Sequence, residues 1–379
     1  MISVLVVDDS VVVRRLIVDA LGEADNIEVV GTASNGLLAQ AKIDQLRPDV
    51  ITMDIEMPQM DGIAAVRELR KRHKQVPVIM FSTLSAAGAS ATLEALSAGA
   101  TDYVTKPSNV GSVSESIAAV REQLVPKIHA LGGRPGPARP GAVPSKARPA
   151  GAPPPLSRPG RPGAPPPAPG TAGPRRATAG GRIDLIAIGS STGGPDALTK
   201  VMQGLPADLP VPIVITQHMP PVFTRMFAER LDRSSPLHVL EATDGTELAA
   251  GTAYIAPGDF HLVLHRRGTS TLIQLTQAPP ENSCRPAVDV MFRSVAALYG
   301  ASAYAAVLTG MGQDGRGGAK VLRDAGAEIL AQDEASSVVW GMPGAVVAAG
   351  LADEVMALDR IAGHLVSRVK VGRSAAVAR

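Results

Sequence analysis

Residues 187–196 read Ala187-Ile-Gly-Ser-Ser-Thr-Gly-Gly-Pro-Asp196, directly after the mostly apolar run 183–188. A glycine-rich turn between an apolar strand and a helix can cradle a phosphate or hold a serine on a sharp bend. Walker-type phosphate loops need Gly-Lys-Ser/Thr, and the first lysine after Gly194 is Lys200. The stretch does match G-x-S-x-G over Gly189–Gly193, with Ser191 at its centre and the strand–turn–helix setting that exposes a nucleophile. The pattern is loose, and Ser191 as a helix cap reads equally well from these ten residues. A serine nucleophile requires a base and a group that orients the base, so the decision lies elsewhere in the chain.

The chain has 379 residues, more than one ordinary core accommodates, so two domains are expected. Aromatics make up only 3% of it, so the cores are aliphatic. A net charge of +2 argues against a nucleic-acid binder. Cys284 is the single cysteine, which excludes an intrachain disulfide or a cysteine-based zinc site. The opening MISVLVVDDS lacks a basic n-region and its apolar run stops at Asp8, so no signal peptide is expected. Without an apolar stretch of roughly 18–20 residues, membrane insertion is not expected either. A cytoplasmic location follows as the expectation.

Fifteen of the 32 prolines fall between Leu131 and Gly181, among Gly, Ala and Arg and with no acidic residue. Such a composition cannot bury enough apolar surface to offset its ordering entropy. It predicts a solvated linker over 126–181, between an N-terminal unit at 1–125 and a C-terminal unit at 182–372.

In the first unit, short β-branched runs alternate with helical patterns through five βα repeats, the signature of a doubly wound parallel sheet. Ligands of such sheets sit outside the carboxyl ends of the strands. There the sequence puts Asp8 and Asp9 after the first strand, Asp54 at the third, Ser82 at the fourth, and Lys106 before Pro107 at the fifth. Three converging carboxylates repel one another unless a hard cation joins them, and Mg²⁺ suits such oxygens. A carboxylate beside that metal can attack a phosphoryl donor. Each residue alone also reads as a turn, cap or surface residue; their joint placement is specific.

VVDDS, MDIEMPQMDG, FST and DYVTKP resemble the receiver domain of two-component response regulators. The resemblance implies Asp54 as phospho-acceptor, Asp8, Asp9 and Asp54 as Mg²⁺ ligands, and Ser82 and Lys106 as the switch pair. Tyr103 matches the family's rotamer-switching aromatic, although a half-buried strand tyrosine needs no such role.

After the linker, buried strands are expected over 185–189, 211–217, 303–309 and 328–331. Residues 237–275, with short strands and turns, read as an antiparallel excursion. The fold class is therefore α/β with two domains: a (βα)5 receiver, then a mainly parallel sheet with a small antiparallel part.

His218, in VITQHMPP, ends one strand and Asp314, in LTGMGQDG, follows another, both on the sheet edge of Ser191. Their chain order, Ser–His–Asp, differs from the orders of the familiar serine hydrolase folds. His261 and His265, four apart on one strand face, hint weakly at a metal. Gly310–Gly315 also satisfies G-x-G-x-x-G, with Asp333 about 20 residues beyond, as in a dinucleotide site. Asp314 would then place a carboxylate where a pyrophosphate must approach. A non-catalytic output domain is the third reading.

IAIGSSTGGPDAL, ITQHMPPVFTRMFAERL, AYIAPGDFHL, RPAVDVMFRSVA and VLTGMGQDG resemble the catalytic domain of the chemotaxis protein-glutamate methylesterases, the CheB family. The resemblance implies Ser191 as nucleophile, His218 as general base and Asp314 as its orienting carboxylate. It also implies oxyanion donors at the N–H groups of Thr192 and Met311. Ser190 stands where alanine is frequent in the family, and Cys284 matches no catalytic position and reads as an ordinary loop residue. The implied activity is hydrolysis of glutamate methyl esters, and deamidation of glutamines, on methyl-accepting chemoreceptors. The implied phosphodonor is the chemotaxis histidine kinase, with Mg²⁺ serving the receiver and no cofactor the esterase. An unphosphorylated receiver is expected to cover the Ser191 edge.

Overall fold

The computed structural model describes residues 1–107, 112–133, 181–371 and 373. The expected linker lies, from 134 to 180, outside the described residues, as does the expected domain end at 372.

The N-terminal unit alternates β1 (Ile2–Val7), α1 (Val11–Gly22), β2 (Ile27–Ala33), α2 (Gly36–Leu46), β3 (Val50–Asp54), α3 (Gly62–Arg72), β4 (Val78–Ser82), α4 (Ala86–Ser97), β5 (Asp102–Thr105) and α5 (Val113–Gly132). The strands form one parallel sheet ordered β2-β1-β3-β4-β5, so the strand order reverses between β1 and β3. A crevice opens at such a reversal. The helices start where short polar side chains take up free N–H groups: Ser10, Asn35, Asp61, Ser85 and Ser112 each accept from the first turn.

Helix α5 runs past the expected boundary at 125 and carries Pro126 inside it. An interior proline costs about 3 kcal/mol. Here Val120, Leu124, Ile128 and Leu131 are all buried on the face packed against the sheet, and burying four such side chains outweighs that cost.

The C-terminal unit comprises β6 (Leu185–Ser190), α6 (Gly194–Gln203), β7 (Ile213–Gln217), α7 (Phe223–Ser234), β8 (His238–Glu241), β9 (Thr252–Ile255), β10 (His261–Arg267), β11 (Ser270–Thr276), α8 (Val288–Tyr299), β12 (Ala303–Val307), α9 (Arg316–Asp324), β13 (Glu328–Gln332), α10 (Met342–Ala348), β14 (Glu354–Met356) and α11 (Leu358–Val371). Seven strands form a parallel sheet ordered β14-β13-β12-β6-β7-β9-β8. Among the named strands of the described residues only β10 and β11 pair antiparallel, His261 opposite Thr276. The expected antiparallel excursion is thus smaller than read: β8 and β9 extend the parallel sheet. Four-residue runs carry no periodicity that distinguishes the two kinds of pairing.

Strand β6 is central, with β12 on one side and β7 on the other, and the strand order reverses at this point. The carboxyl ends of β6, β7 and β12 bring Ser191, His218 and the 308–315 loop to one edge.

The two units touch. Helix α4 packs on α6 and α7, the Tyr103 ring stacks on Phe223, and Arg230 donates to Ser97 Oγ. Val338 and Val339 pack against the core of the N-terminal unit on its α1–α5 side.

Candidate active site and phosphoryl site

The elbow after β6 holds Ser191 by its backbone from three directions. Its N–H donates to Thr309 O at 3.0 Å, and its carbonyl accepts from Gly194 N at 2.7 Å and Gln217 Nε2 at 3.0 Å. Gly193 turns the chain at φ 74°, a conformation that a side chain would strain. The neighbouring Ser190 is fully buried and its Oγ donates to Gln217 Oε1 at 2.7 Å. Ser191 is partly exposed, so of the two serines it alone presents its hydroxyl to the crevice.

His218 N donates to Ser190 O at 3.1 Å, which continues the β6–β7 ladder and sets the histidine beside the elbow. Its Nε2 lies 2.8 Å from Asp314 Oδ2. The same oxygen accepts from Val288 N at 2.6 Å, and Oδ1 accepts from Asp289 N at 3.0 Å and Gly315 N at 2.9 Å. Asp314 therefore sits at the N-terminus of α8, where free N–H groups favour an anion. Burial pushes its carboxyl up, but the bond and charge of His218 and the Val288 and Asp289 N–H groups hold it below the ordinary value.

Among the described residues Ser191 Oγ has no hydrogen-bond partner. The ring nitrogen left free by Asp314, Nδ1, lies instead 3.5 Å from Cys284 Sγ. Cys284 is thus no ordinary loop residue; its loop folds onto the site through contacts far apart in sequence, which no local pattern announced. Burial pulls the His218 pKa down, yet the hydrogen bonds and charges of Asp314 and Cys284 outweigh it and raise it to about 9.

The N–H groups of Thr192 and Met311 donate to no other group among the described residues. The loop carrying Met311 is pressed onto the elbow, since a Cβ on Gly310 would meet Met342 Sδ at 2.3 Å and Ser191 Cβ at 2.9 Å. Gly310 is a glycine to admit these neighbours, not a pyrophosphate, and Asp314 is taken up by His218. Both observations count against the dinucleotide reading. His261 is engaged by Pro279 O at 3.2 Å and Ala287 N at 3.2 Å, with no carboxylate joining it and His265 in a cluster of three possible ligands among the described residues.

In the N-terminal unit, ligand atoms of Asp8, Asp9 and Asp54 lie within 4.8 Å of one another. Lys106 Nζ is 2.8 Å from Asp54 Oδ1 and 3.6 Å from Asp8 Oδ2. Asp8 Oδ2 is buried without a hydrogen-bond partner, and burial with the Asp54 charge raises the Asp8 pKa to about 6. Burial also raises that of Asp54, against the pull of Lys106. An orphaned carboxylate oxygen beside two more carboxylates fits a hard divalent cation. Ser82 is buried on α4, accepting from Thr92 Oγ1 at 2.6 Å and donating towards Gly88 O at 3.2 Å. The Tyr103 ring is buried and stacked on Phe223, with Lys127 Nζ 5.5 Å from its ring centre.

Comparison with known proteins places both halves of the chain. The CheB methylesterase family model matches residues 186–365, and the response regulator receiver domain model matches residues 4–118. A protein-glutamate methylesterase/protein-glutamine glutaminase of Nocardioides sp. is 52% identical over 97% of this chain and 95% of its own. One from Trichodesmium erythraeum is 46% identical over 97% of this chain and 98% of its own. The crystal structure of the Thermotoga maritima CheB methylesterase catalytic domain, 43% identical, covers 49% of this chain and 98% of that one at a TM-score of 0.48. With both halves matched in order and near-full-length identity this high, the chain belongs to the CheB family of protein-glutamate methylesterases/protein-glutamine glutaminases.

Proposed function

We propose that this chain hydrolyses glutamate γ-methyl esters on chemoreceptors, and deamidates receptor glutamines, under control of its phosphorylated receiver. The observation that carries the reading is the His218 Nε2–Asp314 contact of 2.8 Å beside the partly exposed Ser191.

Asp314 holds Nε2 as the donating nitrogen, so Nδ1 of the neutral ring is the base. Nδ1 takes the Ser191 proton as Oγ attacks the ester carbonyl carbon. The carbonyl oxygen becomes an oxyanion, for which the uncommitted N–H groups of Thr192 and Met311 are the donors. The intermediate collapses, the C–O bond to the methoxy group breaks, and the leaving oxygen takes the proton back from His218. Water, deprotonated by the same ring, then cleaves the acyl-serine to glutamate. With a glutamine side chain the leaving group is ammonia.

In the receiver, Asp8, Asp9 and Asp54 would hold Mg²⁺, and the ion would screen the charge between carboxylate and incoming phosphoryl group. Asp54 accepts the phosphoryl group from the chemotaxis histidine kinase, and Lys106 pairs with it. The domain limits we adopt are 1–125 for the receiver, extended by α5, and 182–372 for the esterase.

No helix among the described residues is long and apolar enough to cross a membrane. The test is methanol release from methylated receptor fragments by the purified chain. Release abolished in Ser191→Ala supports the reading, and release retained refutes it.

A further inference from the structure

The loop between β11 and α8 reaches the Asp314 side of the site. Glu281 and Cys284 close it by exchanging backbone hydrogen bonds of 3.1 and 2.9 Å. Asn282, at its tip, has φ 52°, a left-handed conformation that Asn adopts more readily than most residues. Its Nδ2 donates to two carboxylates at once, Asp314 Oδ1 at 2.9 Å and Asp289 Oδ2 at 3.0 Å. Asp289 is buried and anchored by Gly318 N.

Two buried carboxylates that face each other repel, and the amide between them offsets this. It also acts on geometry. Backbone N–H groups already engage both Asp314 oxygens, Val288 on Oδ2 and Asp289 and Gly315 on Oδ1. Among the described residues Asn282 adds the one side-chain donor on Oδ1 and the one donor shared with Asp289; without it the repulsion from Asp289 pushes the carboxylate against those backbone bonds. We propose that Asn282 is a positioning residue of the esterase: its side-chain amide ties Asp314 to Asp289 and thereby holds Oδ2 on His218 Nε2. The proposal rests on the reading of Ser191, His218 and Asp314 as the catalytic set, and Asn282 acts through Asp314 without touching substrate.

The charged surroundings are defined. His218 faces Cys284 and Asp314; behind Asp314 stands Asp289 of α8. Glu281, in the Asn282 loop, pairs with Arg293 of α8 at 2.7 and 2.5 Å, and His261 of β10 lies beyond, bonded to Ala287 N.

Two substitutions in the full chain test the role. Asn282→Asp keeps volume and backbone preference but replaces the donor with a third carboxylate. Asn282→Gly suits the left-handed backbone and deletes the amide. Asn282 is exposed, so both chains are expected to melt near the parent. The readouts are kcat and KM for methanol release across pH 6–10, and the rate at which a fluorophosphonate labels Ser191. For Asn282→Asp, kcat and the labelling rate at neutral pH are expected to fall roughly ten-fold or more, the scale of a lost charge-assisted hydrogen bond. KM should stay within about twofold, because the substrate is not touched. The alkaline rise in activity should move to higher pH, since an added negative charge favours the imidazolium. Asn282→Gly should lose less. A parent-like kcat and pH profile in both variants, or an effect confined to KM, overturns the proposal. Retained methanol release in Ser191→Ala, or parent labelling elsewhere than Ser191, instead refutes the catalytic reading beneath it.

Discussion

Tyr103 of the receiver and Phe223 of the esterase stack face to face, 4.8 Å between ring centres and 3° between planes. Phe223 opens the helix that follows His218, so the stack seats the receiver on the element next to the base. An aromatic pair contributes about 0.5–1.5 kcal/mol beyond its buried area. Tyr103→Ala should therefore loosen the contact and raise methanol release by the unphosphorylated chain roughly two- to ten-fold. An unaltered basal rate would show that the stack does not hold the two domains together in solution.

The two serines of the elbow should separate cleanly. Ser191→Ala is expected to abolish esterase activity, because the exposed hydroxyl is lost while the backbone frame remains. Ser190→Ala breaks a buried bond to Gln217, whose Oε1 is left unpaired at about 1–3 kcal/mol. It should lower the melting temperature yet keep much of the rate. The reverse pattern of activities would reassign the nucleophile.

Cys284 gives a pH prediction. The base must be neutral to accept the serine proton, so with a pKa of about 9 activity should climb as pH rises through that value. Cys284 is among the groups that raise it, after Asp314. Cys284→Ala should then shift the climb to lower pH and increase kcat/KM at neutral pH, about tenfold per unit shifted. Linkage runs the same way: a pKa raised above the unfolded value of roughly 6.5 stabilises the fold fully below that pH. The contribution is lost as pH passes about 9. Parallel melting curves of parent and Cys284→Ala between pH 6 and 10 would refute the coupling, as would an unmoved rate profile.

Asp314→Asn should lower the melting temperature, because a buried acceptor becomes a donor, and cut kcat by roughly 10³–10⁴, the loss when a carboxylate no longer selects the histidine tautomer. Here the amide would also set a donor against Val288 N or Asp289 N. A parent-like rate would reduce Asp314 to a cap for α8.

The strand ends were readable because one-dimensional patterns govern them. An apolar run followed by Asp8, Asp54, Ser191 or His218 places the polar residue at a carboxyl edge whatever the rest of the chain does. The parallel pairing of β8 and β9 was not readable, since neither strand is long enough to carry a period. Helix α5 continued through Pro126 because its buried stripe, visible only against β1 and α1, overrode the proline. Gln217, Asn282 and Cys284 escaped for a related reason. Gln217 ends β7 and meets the elbow only because β6 lies beside that strand, while Asn282 and Cys284 reach the site on a loop: Cys284 meets His218 across 66 positions and Asn282 meets Asp314 across 32. An invariant spacing could have flagged them only across many sequences.

Control of the esterase by Asp54 has a path in this arrangement. Ser82, the residue that would hydrogen-bond a phosphoryl group on Asp54, is now bonded to Thr92 Oγ1 and Gly88 O of α4. Drawing it toward the phosphoryl oxygens breaks those bonds and frees α4 to shift, while the added charge pairs with Lys106. Helix α4 packs on α6 and α7, the helices that follow Ser191 and His218. On the other side Val338 covers Gly193, within 2.5 Å of where its Cβ would stand, and packs with Val339 against the receiver core. The unphosphorylated receiver thus braces both flanks of the elbow. A small-molecule phosphodonor with Mg²⁺ should raise methanol release by the full chain, and should leave Asp54→Asn at its basal rate. A fragment starting at Gly181 should exceed the unphosphorylated chain and ignore the phosphodonor. If a contact of about 1.4 kcal/mol is released, the gain is about tenfold. Equal rates for fragment and unphosphorylated chain would rule out restraint by the receiver, leaving it to act by delivering the esterase to its receptors.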